Sequence, residues 1–163
     1  MPQNILFVCL GNICRSCTAE EIFRTMVTKK GLTEKFAIDS AGLINYHEGE
    51  PPDKRMRQAA ARHGYILTHR SRPIVPKDFE QFDLIVAMDN RNKEKLMRLA
   101  STSMLQNKII MMADYLRNRP IPLTSIPDPY YGSEDDFENV VCLLEEACAR
   151  LLETLWHNDT PAQ

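Results

Sequence analysis

The chain opens on a short, partly β-branched apolar run, Asn4-Ile-Leu-Phe-Val8, whose continuity predicts a strand buried on both faces. Beyond the segment Cys9–Ser16 the period changes. Ala19, Ile22, Phe23, Met26 and Val27 recur at i, i+3 and i+4 spacing, predicting a helix that starts between Ser16 and Thr18 and ends at Gly31. Thr18 and Glu21 fit a capping box at that start. Phe36-Ala-Ile-Asp-Ser40, closed by Ala41-Gly42, reads as a second strand, Leu84-Ile-Val-Ala-Met88 as a third and Lys108-Ile-Ile-Met111 as a fourth. Helices are predicted over Asp53–Arg62, behind Pro51-Pro52 and ending at Gly64, over Lys77–Phe82 and over Asn90–Ala100. A long helix should cover Asp136–Trp156 and leave Asn158–Gln163 to fray, so that residues 1–157 make up the domain.

Strands alternating with helices imply a single α/β domain, a doubly wound, flavodoxin-like parallel sheet of four strands with helices on both faces. Ligands of such sheets sit at the carboxyl ends of the strands. The sequence has no internal repeat, low-complexity tract or interdomain linker. One stretch stands out: Pro120, Pro122, Pro127 and Pro129 crowd into ten residues between the last strand and the last helix. A loop stiffened this way is more often functional than idle.

Composition narrows the function classes. A length of 163 residues fits one domain with a real core, and 44% apolar with 26% charged residues is too apolar for a disordered chain. With 20 Lys and Arg against 22 Asp and Glu, a net charge of −2 gives no general attraction to nucleic acid or anionic lipid. The apolar runs Ile5–Leu10 and Val140–Leu144 are too short to cross a bilayer, so no membrane insertion is expected. Met1-Pro2-Gln3-Asn4 carries no basic region of a secretory signal, which makes the cytoplasm the expected compartment. Five cysteines are an odd number for a disulfide framework, and three of them, Cys9, Cys14 and Cys17, fall within nine residues. That clustering asks for a chemical explanation.

Cys9-Leu-Gly-Asn-Ile-Cys-Arg15-Ser16 lies between a buried strand and a helix N-terminus, where the first helical N–H groups lack internal partners and favour anions. Gly11 and Asn12 tolerate positive φ, so the loop can curl with its N–H groups inward as a nest. Arg15 offers a fork that matches two phosphate oxygens. Cys9 would then sit at the bottom of a ring of dipoles that favour a thiolate, with Ser16 able to donate a hydrogen bond to the sulfur. Taken singly, a cysteine closing a buried strand is a small hydrophobe and an arginine a surface cation. The spacing of Cys, five residues, Arg and Ser between strand and helix is what makes the combination specific. It is not a nucleotide-binding P-loop, because no G-x-x-x-x-G-K-[ST] is present.

Val8-Cys-Leu-Gly-Asn-Ile-Cys-Arg-Ser16 resembles the signature of the low molecular weight protein tyrosine phosphatases. It departs from that signature at Cys17, where the family usually has Pro. Asp39-Ser-Ala-Gly42, Ala87-Met-Asp89 and Asp128-Pro-Tyr-Tyr131 resemble further blocks of the family in the same order, and the likeness spans about residues 4–156. The resemblance implies a four-stranded parallel sheet of the phosphotyrosine phosphatase I type, a phosphotyrosine protein as substrate and catalysis without cofactor or metal. It implies Cys9 as nucleophile, Arg15 as phosphate binder, and Leu10, Gly11, Asn12, Ile13, Cys14, Arg15 and Ser16 as the phosphate-binding loop. A cognate tyrosine kinase or a surface-polysaccharide system is an expectation at the level of the family.

A thiolate that expels a phenolate gains about 10²–10⁴-fold from a positioned acid. Asp128 precedes Pro129, which biases it toward an extended backbone, and lies in the proline-stiffened loop. An Asp before a Pro is by itself a turn. By resemblance Asp128 is the general acid, and Tyr46, Tyr130 and Tyr131 wall the slot for the aryl ring. Glu134, Asp135 and Asp136 compete for the acid role but read as charges complementing the start of the last helix. Ser40, His69 and Asp89 lie in segments that can brace the loop, and His69 is read as structural. His47, His63 and His157 are scattered without ligand spacing, so no metal site is expected.

Other chemistries stay in view. Cys14-Arg-Ser-Cys17 is a C-x-x-C near a helix start, the mark of a thioredoxin-like pair, but the chain lacks that fold's antiparallel strands. Within the phosphatase family a thiol at Cys14 can form a reversible disulfide with the nucleophile and protect it from over-oxidation. Arsenate reductases share the fold and the anion loop and use a shuttle pair, for which Cys142 and Cys148 are the candidates. Six residues of helix leave those two about 120° apart, which reads better as one core and one rim residue. A protein-arginine phosphatase is a sister activity, accompanied in the family by Thr at the position of Ile13, so Ile13 favours tyrosine. A phosphate-binding module without catalysis is the last alternative.

Overall fold

The computed structural model describes residues 1–159. Strand β1 (Gln3–Cys9) is the expected first strand lengthened by one residue at each end. With β2 (Phe36–Gly42), β3 (Leu84–Ala87) and β4 (Ile109–Met111) it forms a four-stranded sheet in the order β2-β1-β3-β4, every pair parallel. The unbroken apolar run of β1 follows from its central place: Ile5, Leu6, Phe7 and Val8 are fully buried.

Around the sheet pack α1 (Arg15–Lys29), α2 (Lys54–Arg62), α3 (Pro76–Gln81), α4 (Asn90–Leu99), the short α5 (Ser103–Gln106) and α6 (Glu134–Asp159). Ile5 and Phe7 of β1 join the core under α1, α2 and α6, while Leu6 and Val8 join the core under α3 and α4. On the first face Phe23 packs against Phe7 and Phe36 at ring separations of 5.7 and 5.6 Å. Truncating so buried an aromatic costs about 3–5 kcal/mol. The chain leaves β1 toward β2 on one side and later returns to β3 on the other, so the carboxyl ends of β1 and β3 open the crevice where such sheets bind ligands.

Local chemistry explains most of the boundaries. Asp53 and Asp89 cap α2 and α4, each carboxylate accepting a 2.8 Å bond from a backbone N–H of the first turn. Gly31 and Gly64, with φ of 68° and 89°, end α1 and α2. At the start of α6, Asp136 accepts from the backbone N–H of Ser133 at 2.8 Å, and Glu134 and Asp135 join it in the first turn as the dipole argument expected. Two expectations about the first helix fail. Helix α1 begins at Arg15, earlier than predicted, and Thr18 forms no capping box because its hydroxyl donates to the Cys14 carbonyl at 2.6 Å. Cys14 is the N-cap residue and supplies no side-chain cap, which leaves the first-turn N–H groups for an anion. The expected frayed tail is helical through Asp159, and residues 160–163 lie outside the described residues. Among the described residues no helix is long and apolar enough to cross a membrane.

Candidate active site

Between Cys9 and Arg15 the chain turns back on itself at one position. Asn12 has φ of 59°, alone among the described non-glycine residues in the left-handed region. Gly11, expected to share that conformation, does not; its bareness instead makes room for His47, whose Cδ2 would lie 3.2 Å from a Cβ there. Gly42 at the end of β2 is bare for a similar reason. A Cβ on it would meet the Leu10 carbonyl at 3.0 Å and the Gly11 carbon at 3.1 Å, so the strand end lets the loop lie against it.

Four of the loop carbonyls are engaged by surrounding groups. The Leu43 N–H donates to the carbonyls of Cys9 (3.1 Å) and Leu10 (2.8 Å), Ser71 Oγ to that of Gly11 (2.9 Å) and the Asp53 N–H to that of Ile13 (2.8 Å). Each peptide is planar and trans, so a carbonyl held outward turns the following N–H inward. The Asn12 N–H, 3.3 Å from Cys9 Sγ, points the way this requires. The result is a ring of donors around the sulfur, which is what an oxyanion needs.

The Asn12 side chain is the hub that holds the ring. Its Nδ2 donates to Ser16 Oγ at 2.8 Å and to Ser40 Oγ at 3.0 Å. Its Oδ1 accepts from the Arg72 backbone N–H at 3.1 Å and from His69 Nε2 at 2.8 Å. Since a backbone N–H can only donate, the amide orientation is set. Behind it, His69 Nδ1 lies 3.1 Å from Glu20 Oε1, and Ser40 Oγ donates to the same oxygen at 2.9 Å. Burial pushes the Glu20 carboxyl up, but the His69 contact and charge, with Arg24 and Ser40, outweigh it and hold Glu20 below the usual carboxylate range. Ser16, accepting from Asn12, can donate its own proton to Cys9 Sγ, 3.0 Å away, the Ala41 carbonyl being the more distant acceptor at 3.5 Å.

Arg15 closes the other side. Its guanidinium is almost wholly buried and donates to Asp89 Oδ2 at 2.7 Å and to the Ile126 carbonyl at 3.0 Å, while Nη2 stands 3.6 Å from Asp128 Oδ2. Burial works against its charge, yet the Cys9 sulfur, Asp89 and Asp128 together raise its pKa further. Asp128 also accepts from the Tyr130 N–H at 3.1 Å, an Asx-type turn that the following Pro129 permits. A cleft of about 340 Å³ rises from Cys9, Arg15 and Asp128, with Tyr46, Tyr130 and Tyr131 on its walls. All three tyrosines expected at the ring slot therefore meet there, beside Ile13 and His47.

The family model for the low molecular weight phosphotyrosine protein phosphatases matches residues 4–160. The chain belongs to that family. It is 40% identical over 152 residues to the human low molecular weight phosphotyrosine protein phosphatase, covering 93% of this chain and 94% of that one. It is also 40% identical over 152 residues to the low molecular weight protein-tyrosine-phosphatase of Streptomyces coelicolor, covering 93% of each. The crystal structure of a protein tyrosine phosphatase from Entamoeba histolytica with Hepes in the active site superposes with a TM-score of 0.91 at 42% identity. It covers 97% of this chain and 99% of that one.

In this family member, sequence reasoning overlooked several braces of the site. Glu20 sits in a helix turn rich in charge, where a solvated face is the ordinary reading, yet it is buried under the loop. Arg72 bridges Asp39 and Asp78 and hands its backbone N–H to Asn12. Arg55 pairs with Asp53 at 2.9 Å and lies over the rings of Phe137 (4.6 Å) and Tyr130 (5.5 Å), joining α2 and α6 to the acid loop. Only the Asp-x-Arg spacing at a helix start hinted at it.

The remaining thiols divide cleanly. Cys17 is the third residue of α1 rather than its first; it is buried, and its thiol lies 3.5 Å from the Cys14 carbonyl. Burial, then the nearby Cys9, pushes both the Cys14 and Cys17 thiols up. Cys148 is buried and donates weakly to the Ala19 carbonyl, whereas Cys142 is exposed, the core and rim pair that the helix angle predicts. The all-parallel sheet of the described residues differs from a thioredoxin-like arrangement.

Proposed function

We propose that this protein hydrolyses phosphotyrosine in protein substrates through a phosphocysteine intermediate. The observation that carries the reading is the Cys9 sulfur at the centre of a donor ring, with Ser16 at 3.0 Å, the Asn12 N–H at 3.3 Å and the Arg15–Asp128 pair at the cleft wall. In the first step the Cys9 thiolate forms an S–P bond as the P–O bond to tyrosine breaks. Asp128 gives its proton to the departing phenolate. In the second, water attacks phosphorus, Asp128 takes its proton, and the thiolate leaves with the Ser16 hydroxyl stabilising it. Arg15 and the loop N–H groups hold the equatorial oxygens in both steps, which is where charge is spread in phosphoryl transfer.

The three tyrosines and Ile13 form an apolar, flat-sided slot that supports an aryl ester over a guanidino one. The enzyme's counterpart would be a tyrosine kinase, and a nucleophile that must stay reduced suits the cytoplasm. The test compares wild type, Cys9→Ser and Asp128→Ala on para-nitrophenyl phosphate with chelator present. Cys9→Ser should be inactive, and full activity in that variant would overturn the mechanism. Wild type should also prefer a phosphotyrosine peptide to a phosphoarginine one; the reverse order would reassign the substrate.

A further inference from the structure

Outside the cleft lining, His63 at the C-cap of α2 meets α6. Its Nε2 is in close contact with Glu138 Oε1, and Cys142, one helical turn beyond Glu138, presents an exposed thiol on the same side. The ligand-capable atoms of His63, Glu138 and Cys142 all lie within 4.8 Å of one another. A tetrahedral zinc ion with bonds of about 2.0–2.3 Å spaces its ligand atoms roughly 3.3–3.8 Å apart, so side-chain torsions alone can close the set.

What surrounds these atoms is ordered as a ligand set is ordered. His63 Nδ1 stands 2.9 Å from Glu145 Oε1, a carboxylate that fixes the ring with Nε2 toward Glu138 and Cys142; the proton Nε2 now donates to Glu138 is the one an ion would replace. Glu145 is anchored in turn by the Tyr65 hydroxyl at 2.8 Å. Arg62 holds the other Glu138 oxygen at 3.1 Å, leaving Oε1 for the ion. A carboxylate, a thiolate and a neutral imidazole around a divalent ion sum to zero charge, and Arg62 offsets the outer Glu145. The two loops of sequence hide this: His63 and Glu138 are 75 residues apart, so no ligand spacing along the chain could announce them.

We propose that His63, Glu138 and Cys142 form a binding site for a zinc-type divalent cation that clips α2 to α6, with Glu145 orienting the histidine and water completing the tetrahedron. On binding, the ion displaces the Nε2 proton that His63 shares with Glu138, the Cys142 thiol releases its own proton, both protons go to solvent, and metal–nitrogen and metal–sulfur bonds form; no electron moves. The site is independent of the phosphatase reaction, and its test avoids activity. Cys9→Ser protein, which lacks the reactive cleft thiol, is titrated with zinc and with cobalt. One equivalent should bind, cobalt should develop a thiolate-to-metal charge-transfer band, and zinc should slow alkylation of Cys142 about 10-fold or more. Adding Cys142→Ser should remove the band and weaken zinc binding about 10–100-fold, and His63→Asn should do the same. If His63→Asn fails to fold through loss of its ion pairs, the Cys142→Ser comparison still decides. A missing cobalt–thiolate band, unchanged alkylation of Cys142, or the same zinc affinity in Cys142→Ser would overturn the proposal.

Discussion

Asn12 and Asp128 serve the same cleft, one from behind its floor and one on its wall, and their side chains are held to very different degrees. Asn12 is 1% exposed and bonded through its amide to Ser16, Ser40, His69 and the Arg72 backbone. The Asp128 side chain is 44% exposed and held by a single backbone N–H and a 3.6 Å approach to Arg15. The cradle is built like a core and the acid loop like a rim. An anion site must present fixed dipoles, since reorganising them would use up the stabilisation they offer. An acid that alternately gives and takes a proton, beside a slot that must admit and release an aryl group, needs access to water instead.

That contrast can be broken from either side, and the acid side should show the largest effect. Asp128→Ala should lower kcat by about 10²–10⁴-fold on phenyl phosphate, and by less on para-nitrophenyl phosphate, whose phenolate leaves more readily. Its thermal midpoint should stay at the wild-type value, and a shift of many degrees would mean the loop is structural. On the cradle side, Asn12→Ala should cost activity and stability together. About 10²-fold in kcat/KM and about 2–4 kcal/mol in urea unfolding are expected from the stranded Ser16, Ser40 and His69 groups.

Arg55→Ala lies between the two regions, because it loosens the Tyr130 wall without touching the loop. KM for aryl phosphates should rise by about 2–10-fold, with kcat nearly unchanged and Arg55→Lys restoring part of the loss. The smallest effect concerns acid. Glu20 is held below its ordinary pKa in the folded protein, so its contribution to stability is present above about pH 4.3 and disappears as the pH falls through the folded value. Glu20→Gln should therefore be less stable than wild type at neutral pH, and the gap should narrow toward the acid end of an unfolding series. A constant gap would assign the role of Glu20 to packing alone.

The same contrast marks what could be read from the chain. The continuous apolar run Asn4–Val8 and the stripe from Ala19 to Val27 announce strand and helix, the first because both its faces are buried and the second because one buried face demands a period. The Cys-to-Arg spacing announces the loop because a nest demands small or left-handed residues there. Asp128 could be singled out by its proline-stiffened loop. Its role as the acid, and the place of Tyr46, Tyr130 and Tyr131 at the ring slot, came from the likeness to a family, since an aspartate before a proline is by itself an ordinary turn. Glu20, Arg72 and Arg55 left almost no trace. Glu20 and Arg72 neutralise and orient polar groups up to 60 residues away, and nothing local distinguishes such a charge from a solvated one. Short pieces such as α5 and the 3₁₀ turns at Thr33–Lys35 and Met112–Leu116 escaped because one turn has too few residues to show a period.

The hydrogen bond from Arg15 to the Ile126 carbonyl joins residues 111 positions apart. A ribosome adding about 5–20 residues per second releases Cys9 and its loop roughly 6–22 s before the segment that clasps Arg15 and brings Asp128. Until then α6, which covers one face of β1, is also missing. The nascent chain thus carries its nucleophile without its acid, its slot or its finished floor. The ability to cleave a phosphoester arrives with the last quarter of the polypeptide, and a chain truncated before residue 126 has the signature but no enzyme.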